Sequence, residues 1–232
     1  MQSLVFYSST DTKGKRDATG AFIPEARAFA RFHSILSSYC IGVDCKGLTA
    51  PERRKVVIDE ISKRELWDVI AFFGHGWPDG IQFGFTRKTV DDLAGVIAAH
   101  SSPDVCVGLF ACLAAENDVR DSTVKKLGPA TDGGFADMLR DSMVRHGVSY
   151  GWVDAHKTAG HTSWNPYVVR FLCEDVDDPE WGAEGGAWLV EPRSALWKKW
   201  VAALRDRSTG LRYGFLISSE FAIKQYLLTG TK

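Results

Sequence analysis

Two nearly continuous apolar runs constrain the fold of this chain more than any other feature. The first is Trp67–Phe73 and the second is Val105–Phe110, and neither alternates polar with apolar residues. A strand that is apolar at successive positions must be covered on both faces, as in a parallel sheet with helices on each side. The two runs therefore predict buried strands in a domain of the α/β class.

Strand and helix patterns alternate through the rest of the chain. Further strands are predicted at Leu4–Tyr7, Ile41–Val43, Val148–Val153, Pro166–Leu172, Ala187–Val190 and Leu211–Ile217. Helices are predicted at 24–36, at 49–64 behind a Thr49/Glu52 capping box, at 89–100, at 135–146, at 194–205 and after the last strand. Since no internal repeat or low-complexity linker interrupts this alternation, residues 1–232 are expected to form one domain.

Charge and composition exclude several functional classes. The chain has 28 Lys+Arg and 29 Asp+Glu, so its net charge of -1 gives no electrostatic reason to expect a nucleic-acid partner. It has no apolar stretch of about 18 residues, and its start does not resemble a secretory signal, so we expect a cytoplasmic protein without a membrane span. Five cysteines without a Cys-x-x-Cys pair predict neither a disulfide framework nor a zinc ribbon, and we expect no metal or other cofactor.

Reactive side chains follow both apolar runs at the point where each strand should end. Gly74-His75-Gly76 comes after the first run, and Ala111-Cys112 comes after the second. Parallel strands place their carboxyl ends at one edge of a sheet, where sites form. A thiolate at Cys112 would be the nucleophile, and His75 would exchange its proton. We expect the backbone N–H groups of Gly76 and Cys112 to stabilise a developing oxyanion.

These segments resemble a known group of enzymes. Val69–Gly76, an apolar block ending in His-Gly, and Val105–Cys112, an apolar block ending in Ala-Cys, look like the caspase–gingipain (clan CD) superfamily of cysteine peptidases, which includes metacaspases, legumains, separases and bacterial CHAT-type peptidases. The resemblance covers residues 67 to about 153. It implies a three-layer α/β/α sandwich with a mostly parallel sheet, and endopeptidase activity on a protein or peptide substrate, with Cys112 as nucleophile and His75 as acid and base.

The chain also departs from the caspase pattern. Leu113–Asn117 does not reproduce a caspase active-site pentapeptide, so the resemblance does not extend to aspartate specificity. Asp154, after the predicted strand at 148–153, would bind a basic P1 side chain, as acidic residues do in the lysine- and arginine-specific relatives. Trp77 would line the substrate cleft. A turn or cap for Asp154 and a packing role for Trp77 are the structural alternatives.

Two other functions and one processing event stay open at this level. His156 and His161, near Asp154, would suit a metal-dependent hydrolase. The chain would alternatively be a non-catalytic interaction module that keeps the caspase-like fold. The polar segment from Glu116 to Gly134, with its basic residues, would be a site of cleavage during activation or an ordinary surface loop.

Overall fold

A mostly parallel sheet runs through the computed structural model, which describes residues 2–10, 21–116, 133–160, 165–177 and 186–205. The strands are β1 (Ser3–Ser8), β2 (Cys40–Val43), β3 (Trp67–Gly74), β4 (Gly76–Trp77), β5 (Gly80–Ile81), β6 (Phe85–Thr86), β7 (Ser101–Ala111), β8 (Trp152–His156), β9 (Val168–Leu172) and β10 (Gly186–Trp188). The helices are α1 (Phe22–Phe32), α2 (Ala50–Ile61), α3 (Val90–His100), α4 (Gly134–Arg145) and α5 (Ala195–Arg205).

Within the described residues the main sheet has seven strands in the order β10-β9-β8-β7-β3-β1-β2. Strands β2, β1, β3, β7 and β8 are paired in parallel, and β9 and β10 add antiparallel pairings at one edge. The two apolar runs become the adjacent central strands β3 and β7. The predicted α/β class with a mostly parallel sheet is therefore confirmed.

Both faces of β3 are buried, which explains why its sequence does not alternate. Ile70 and Phe72 belong to a core cluster that also contains buried side chains of α2, α3 and α4. Val69, Ala71 and Phe73 belong to a second cluster, with buried side chains of α1 and partly buried ones of α5. Each fully buried Val, Ile or Phe side chain contributes about 1.5–3 kcal/mol relative to exposure, so both faces favour apolar residues.

Local signals in the sequence set several boundaries. The Thr49/Glu52 capping box is present at the start of α2, and the Ser194 hydroxyl accepts a hydrogen bond from the backbone N–H of Trp197 at the start of α5 (3.0 Å). Helix α1 ends at Phe32, before the predicted Leu36, because Ser34 takes a left-handed conformation (φ 56°) that breaks the helix.

One strand is displaced from its predicted position. Residues 148–153 were expected to be extended, but β8 begins only at Trp152 and continues to His156. The segment before it is a connection in which Tyr150 N–H donates to Pro103 O (3.0 Å). The end of β8 is therefore at His156 and not at Asp154. The predicted strand Leu211–Ile217 and the helix after it lie outside the described residues.

A small antiparallel sheet had no equivalent among the sequence predictions. Strands β4, β5 and β6 form it directly after His75. Strands of two residues are too short to show a hydrophobic period, so no sequence pattern indicates them. In the parts of the chain that the structure describes, no helix is both long enough and apolar enough to cross a bilayer.

Candidate active site

The register between β3 and β7 places the backbones of His75 and Cys112 opposite each other at the carboxyl ends of the two strands. Phe73 pairs with Phe110 and Gly74 pairs with Ala111, so the next residue on each strand is His75 on one and Cys112 on the other. Adjacent strands lie about 4.8 Å apart, and the two backbones are therefore neighbours where they leave the sheet. Both side chains are partly exposed.

Glycine is required directly after His75. A Cβ atom on Gly76 would lie 2.7 Å from the carbonyl oxygen of Cys112 and 2.7 Å from Cβ of Ala111, closer than real Cβ contacts. The chain that follows the histidine therefore passes over the Cys112 peptide at a separation that only glycine permits. This places the backbones of Gly76 and Cys112 together; their role as oxyanion donors stays a prediction.

His75 is held through its main chain and packed through its ring. Its N–H donates to Oε1 of Gln82 (2.8 Å), and its carbonyl accepts from the Gln82 N–H (2.9 Å). The imidazole meets the Phe22 ring edge to face, with ring centroids 5.0 Å apart. Since Phe22 is a buried residue at the start of α1, that helix supports one side of the imidazole.

The Cys112 thiol lies against the loop that follows β8. The Gly160 N–H donates to Sγ (3.4 Å), and Sγ in turn donates to the Gly160 carbonyl (3.7 Å). The loop is fixed by buried Asn165, which receives a hydrogen bond from the Thr158 hydroxyl (3.1 Å) and donates one to the Thr158 carbonyl (3.0 Å). A cavity of about 240 Å³ is lined by residues 158–160 and 165–167, and it shares Gly160 with the hydrogen bonds of the thiol.

The chain turns sharply immediately after Cys112. Leu113 has φ 60°, a conformation that costs a residue with a side chain about 1–3 kcal/mol. Neighbouring elements hold this turn, because Ala115 N–H donates to His156 O (3.0 Å) and Ala136 N–H donates to Ala114 O (2.9 Å). The end of β8 and the start of α4 thus fix the point at which the cysteine leaves the sheet.

The structure argues against the predicted substrate contact of Asp154. Asp154 lies within β8 opposite Gly108 and is fully buried. Its two carboxylate oxygens accept from the Arg170 guanidinium at 2.8 Å each, and that guanidinium stacks over Trp152 at 4.9 Å. Burial raises the pKa of the Asp154 carboxyl, and the charge of Arg170 opposes the shift. The prediction was wrong because β8 extends beyond Asp154, which leaves the carboxylate inside the sheet.

The other predicted residues have different positions relative to the site. Trp77, 43% exposed, lies in β4 two residues after His75, so a role in the cleft stays a prediction. His156 is buried at the end of β8, its ring centroid 6.2 Å from that of Phe110. His161 and residues 117–132 of the predicted processing segment lie outside the described residues, and the described ones contain no cluster of three metal-ligating side chains.

The four remaining cysteines have environments that suppress ionisation. Cys45, Cys106 and Cys173 are buried and Cys40 is partly buried. Burial raises the pKa of all four thiols, that of Cys173 to about 12 and that of Cys106 well above its usual value. Since the thiolate is the reactive form, these cysteines are expected to react slowly at neutral pH.

Three residues that contact His75 or Cys112 had little or no functional signal in the sequence. Gln82 is a single amide within an apolar hairpin, Phe22 starts an amphipathic helix, and Gly160 lies in a polar loop. Only Gln82 carried a hint, because a polar side chain among large apolar residues must find a hydrogen-bonding partner when it is buried.

The turn at Leu113 yields a stability prediction. Leu113→Ala and Leu113→Gly both remove the side chain, but only glycine accepts a positive φ without strain. We expect the glycine variant to be more stable than the alanine variant by about 1 kcal/mol, measured by urea denaturation. Equal stability, or a more stable alanine variant, would contradict the strained turn.

The Asp154–Arg170 pair yields a second prediction. Arg170→Met leaves a buried carboxylate without its cation, and we expect a loss of about 3–5 kcal/mol in unfolding free energy at about pH 8. The native-state pKa of Asp154 is then raised further above its unfolded value. A carboxyl whose native-state pKa is raised contributes stability at low pH, and this contribution is lost as pH rises through the native pKa. The stability difference between Arg170→Met and the unmodified chain should therefore be smaller at about pH 5 than at about pH 8.

A matched variant isolates the carboxylate. Asp154→Asn/Arg170→Met has no ionisable group at either position, so its stability difference from the unmodified chain should change little between the two pH values. Chemical denaturation of all three proteins at both pH values provides the comparison. A loss in Arg170→Met that does not depend on pH would show that the Asp154 carboxylate is not the cause.

Comparison with known proteins assigns no family to this chain, so a proposal about its function rests on the geometry of the site. No protein-family model, curated protein sequence or solved structure matches this chain.

Proposed function

We propose that this chain is a caspase-like cysteine endopeptidase, a three-layer α/β/α domain that hydrolyses peptide bonds through Cys112 and His75. One observation carries the proposal: β3 and β7 pair in parallel with Gly74 opposite Ala111, so that a thiol and an imidazole follow adjacent strand ends. Thiol and imidazole together supply the nucleophile and the proton acceptor that acyl transfer requires.

The chemistry follows from these two groups. Sγ of Cys112 attacks the substrate carbonyl carbon while its proton passes to His75, and the carbonyl oxygen becomes an oxyanion near the N–H groups of Gly76 and Cys112. The C–N bond then breaks, His75 protonates the leaving amine, and a thioester remains on Cys112. Water, deprotonated by His75, hydrolyses the thioester and restores the thiol.

The surroundings of the Cys112 thiol bear on which P1 side chain the substrate would carry. Gly160, which hydrogen-bonds to Sγ, also lines a cavity whose described lining consists of uncharged residues. Asp154 is buried and paired with Arg170. The proposal therefore does not include a preference for a basic P1 residue.

The proposal is tested with a peptidyl acyloxymethyl ketone library that varies P1, together with matched fluorogenic peptides. We expect at least one probe to label Cys112 and no other cysteine, and the corresponding peptide to be cleaved. Cys112→Ser should abolish both labelling and cleavage. His75→Ala should lower kcat/KM by about 10²–10⁴, the usual contribution of an acid–base group.

Cys40→Ser is the matched control, because Cys40 is the other partly exposed cysteine of the chain. It should leave labelling and cleavage unchanged. A Cys112 that no probe labels, in a protein that cleaves no peptide of the library, would contradict the proposal and favour a non-catalytic module. Cleavage that persists in Cys112→Ser and stops on chelation would favour the metal-dependent hydrolase.

A further inference from the structure

We infer that Gln82 is a positioning residue for His75, an inference that rests on the proposed function for its catalytic meaning. Its backbone and its side chain bind the same residue from two sides. Oε1 accepts from the His75 N–H (2.8 Å), and the Gln82 N–H donates to the His75 carbonyl (2.9 Å). Both main-chain polar groups of the histidine thus have their partner in one residue.

The side-chain amide also links His75 to the neighbouring strand. Nε2 of Gln82 donates to the carbonyl of Thr10, just beyond β1 (3.1 Å). Strands β1 and β3 are paired in parallel as far as Tyr7 and Phe73, where their regular ladder ends. The side-chain amide of Gln82 accepts a hydrogen bond from the residue after β3 and donates one to the segment after β1, as a peptide group does within a sheet. It therefore continues the connection between the two strands past the end of the sheet.

The hydrogen bonds between Gln82 and His75 are shielded from solvent. Gln82 is 1% exposed, so water does not replace its hydrogen bonds. A Cβ on Gly74 would lie 2.9 Å from the Phe83 ring and 3.3 Å from Oε1 of Gln82, so the hairpin packs directly on the end of β3. Loss of the amide would leave the His75 N–H without its acceptor in a packed environment, which favours a shift of the backbone.

A backbone shift at His75 changes the direction of its Cα–Cβ bond. Cys112 is fixed independently, by the turn at Leu113 and by Gly160. Gln82 therefore determines the position of one member of the dyad relative to the other. Because acid–base catalysis depends on distances of a few tenths of an ångström, misplacement should lower kcat with little effect on KM.

The experiment compares two substitutions of Gln82. Gln82→Met has a similar shape but neither an acceptor nor a donor. Gln82→Glu retains the acceptor, and its carboxyl group in the protonated form also has the O–H donor that Thr10 requires; ionisation removes that donor. Burial favours the protonated form, so function in Gln82→Glu relative to the unmodified chain should increase as pH falls. In Gln82→Met the corresponding ratio should not depend on pH.

Two readouts are recorded for each variant. The first is kcat and KM for the peptide identified with the probe library, and we expect kcat of Gln82→Met to fall roughly tenfold or more. The second is the hydrogen-exchange rate of the His75 amide by NMR, expressed relative to the unmodified chain at the same pH. We expect this ratio to rise at least tenfold in Gln82→Met and to fall back towards one in Gln82→Glu at low pH. Ile97→Val, in the core of α3, is the stability control: it should lower Tm without changing either readout.

The two readouts separate this inference from the proposed function. If the unmodified chain cleaves no peptide, the proposed function fails, and amide exchange still decides whether Gln82 holds His75. Unchanged exchange and unchanged kcat in Gln82→Met would overturn the inference. If Gln82→Met does not fold, Gln82→Glu decides, and a kcat ratio that does not vary with pH would overturn the inference.

Discussion

The parallel pairing of β3 with β7 is the constraint on which the rest of the site depends. A register of Gly74 opposite Ala111 fixes which residues leave the sheet together, and a shift by one residue would direct the side chains to opposite faces. Alternate residues of β3 enter core clusters on the two sides of the sheet, so such a shift would also exchange the side chains that each cluster receives. The packing that stabilises the fold therefore also places His75 beside Cys112.

Secondary contacts convert this proximity into a defined arrangement. Gly76 permits one chain to cross the other, the strained turn at Leu113 moves the backbone away from the thiol, and Gln82 holds the histidine. Each of these features reduces local freedom where a site needs accurate geometry. The buried Asp154–Arg170 pair has a different role, since it joins β8 to β9 within the sheet.

The sequence predicted the parts of the structure that depend on burial and on short-range caps. Continuous apolar runs identified β3 and β7, and the Thr49/Glu52 pair identified the start of α2. It placed the start of β8 too early, because Val148 and Tyr150 suit a strand pattern although they lie in the connection before β8, where Tyr150 is exposed. The contacts of Gln82 and Gly160 join elements distant along the chain, and no local pattern encodes them.

The most direct measurement is a crystal structure of the protein covalently modified at Cys112 by a peptidyl ketone. We predict a ring nitrogen of His75 within about 3 Å of a reacting atom or bridged to it by one water, and the ketone oxygen about 3 Å from the N–H groups of Gly76 and Cys112. A His75 imidazole more than about 8 Å from Sγ, with no cleft between them, would contradict the proposed dyad.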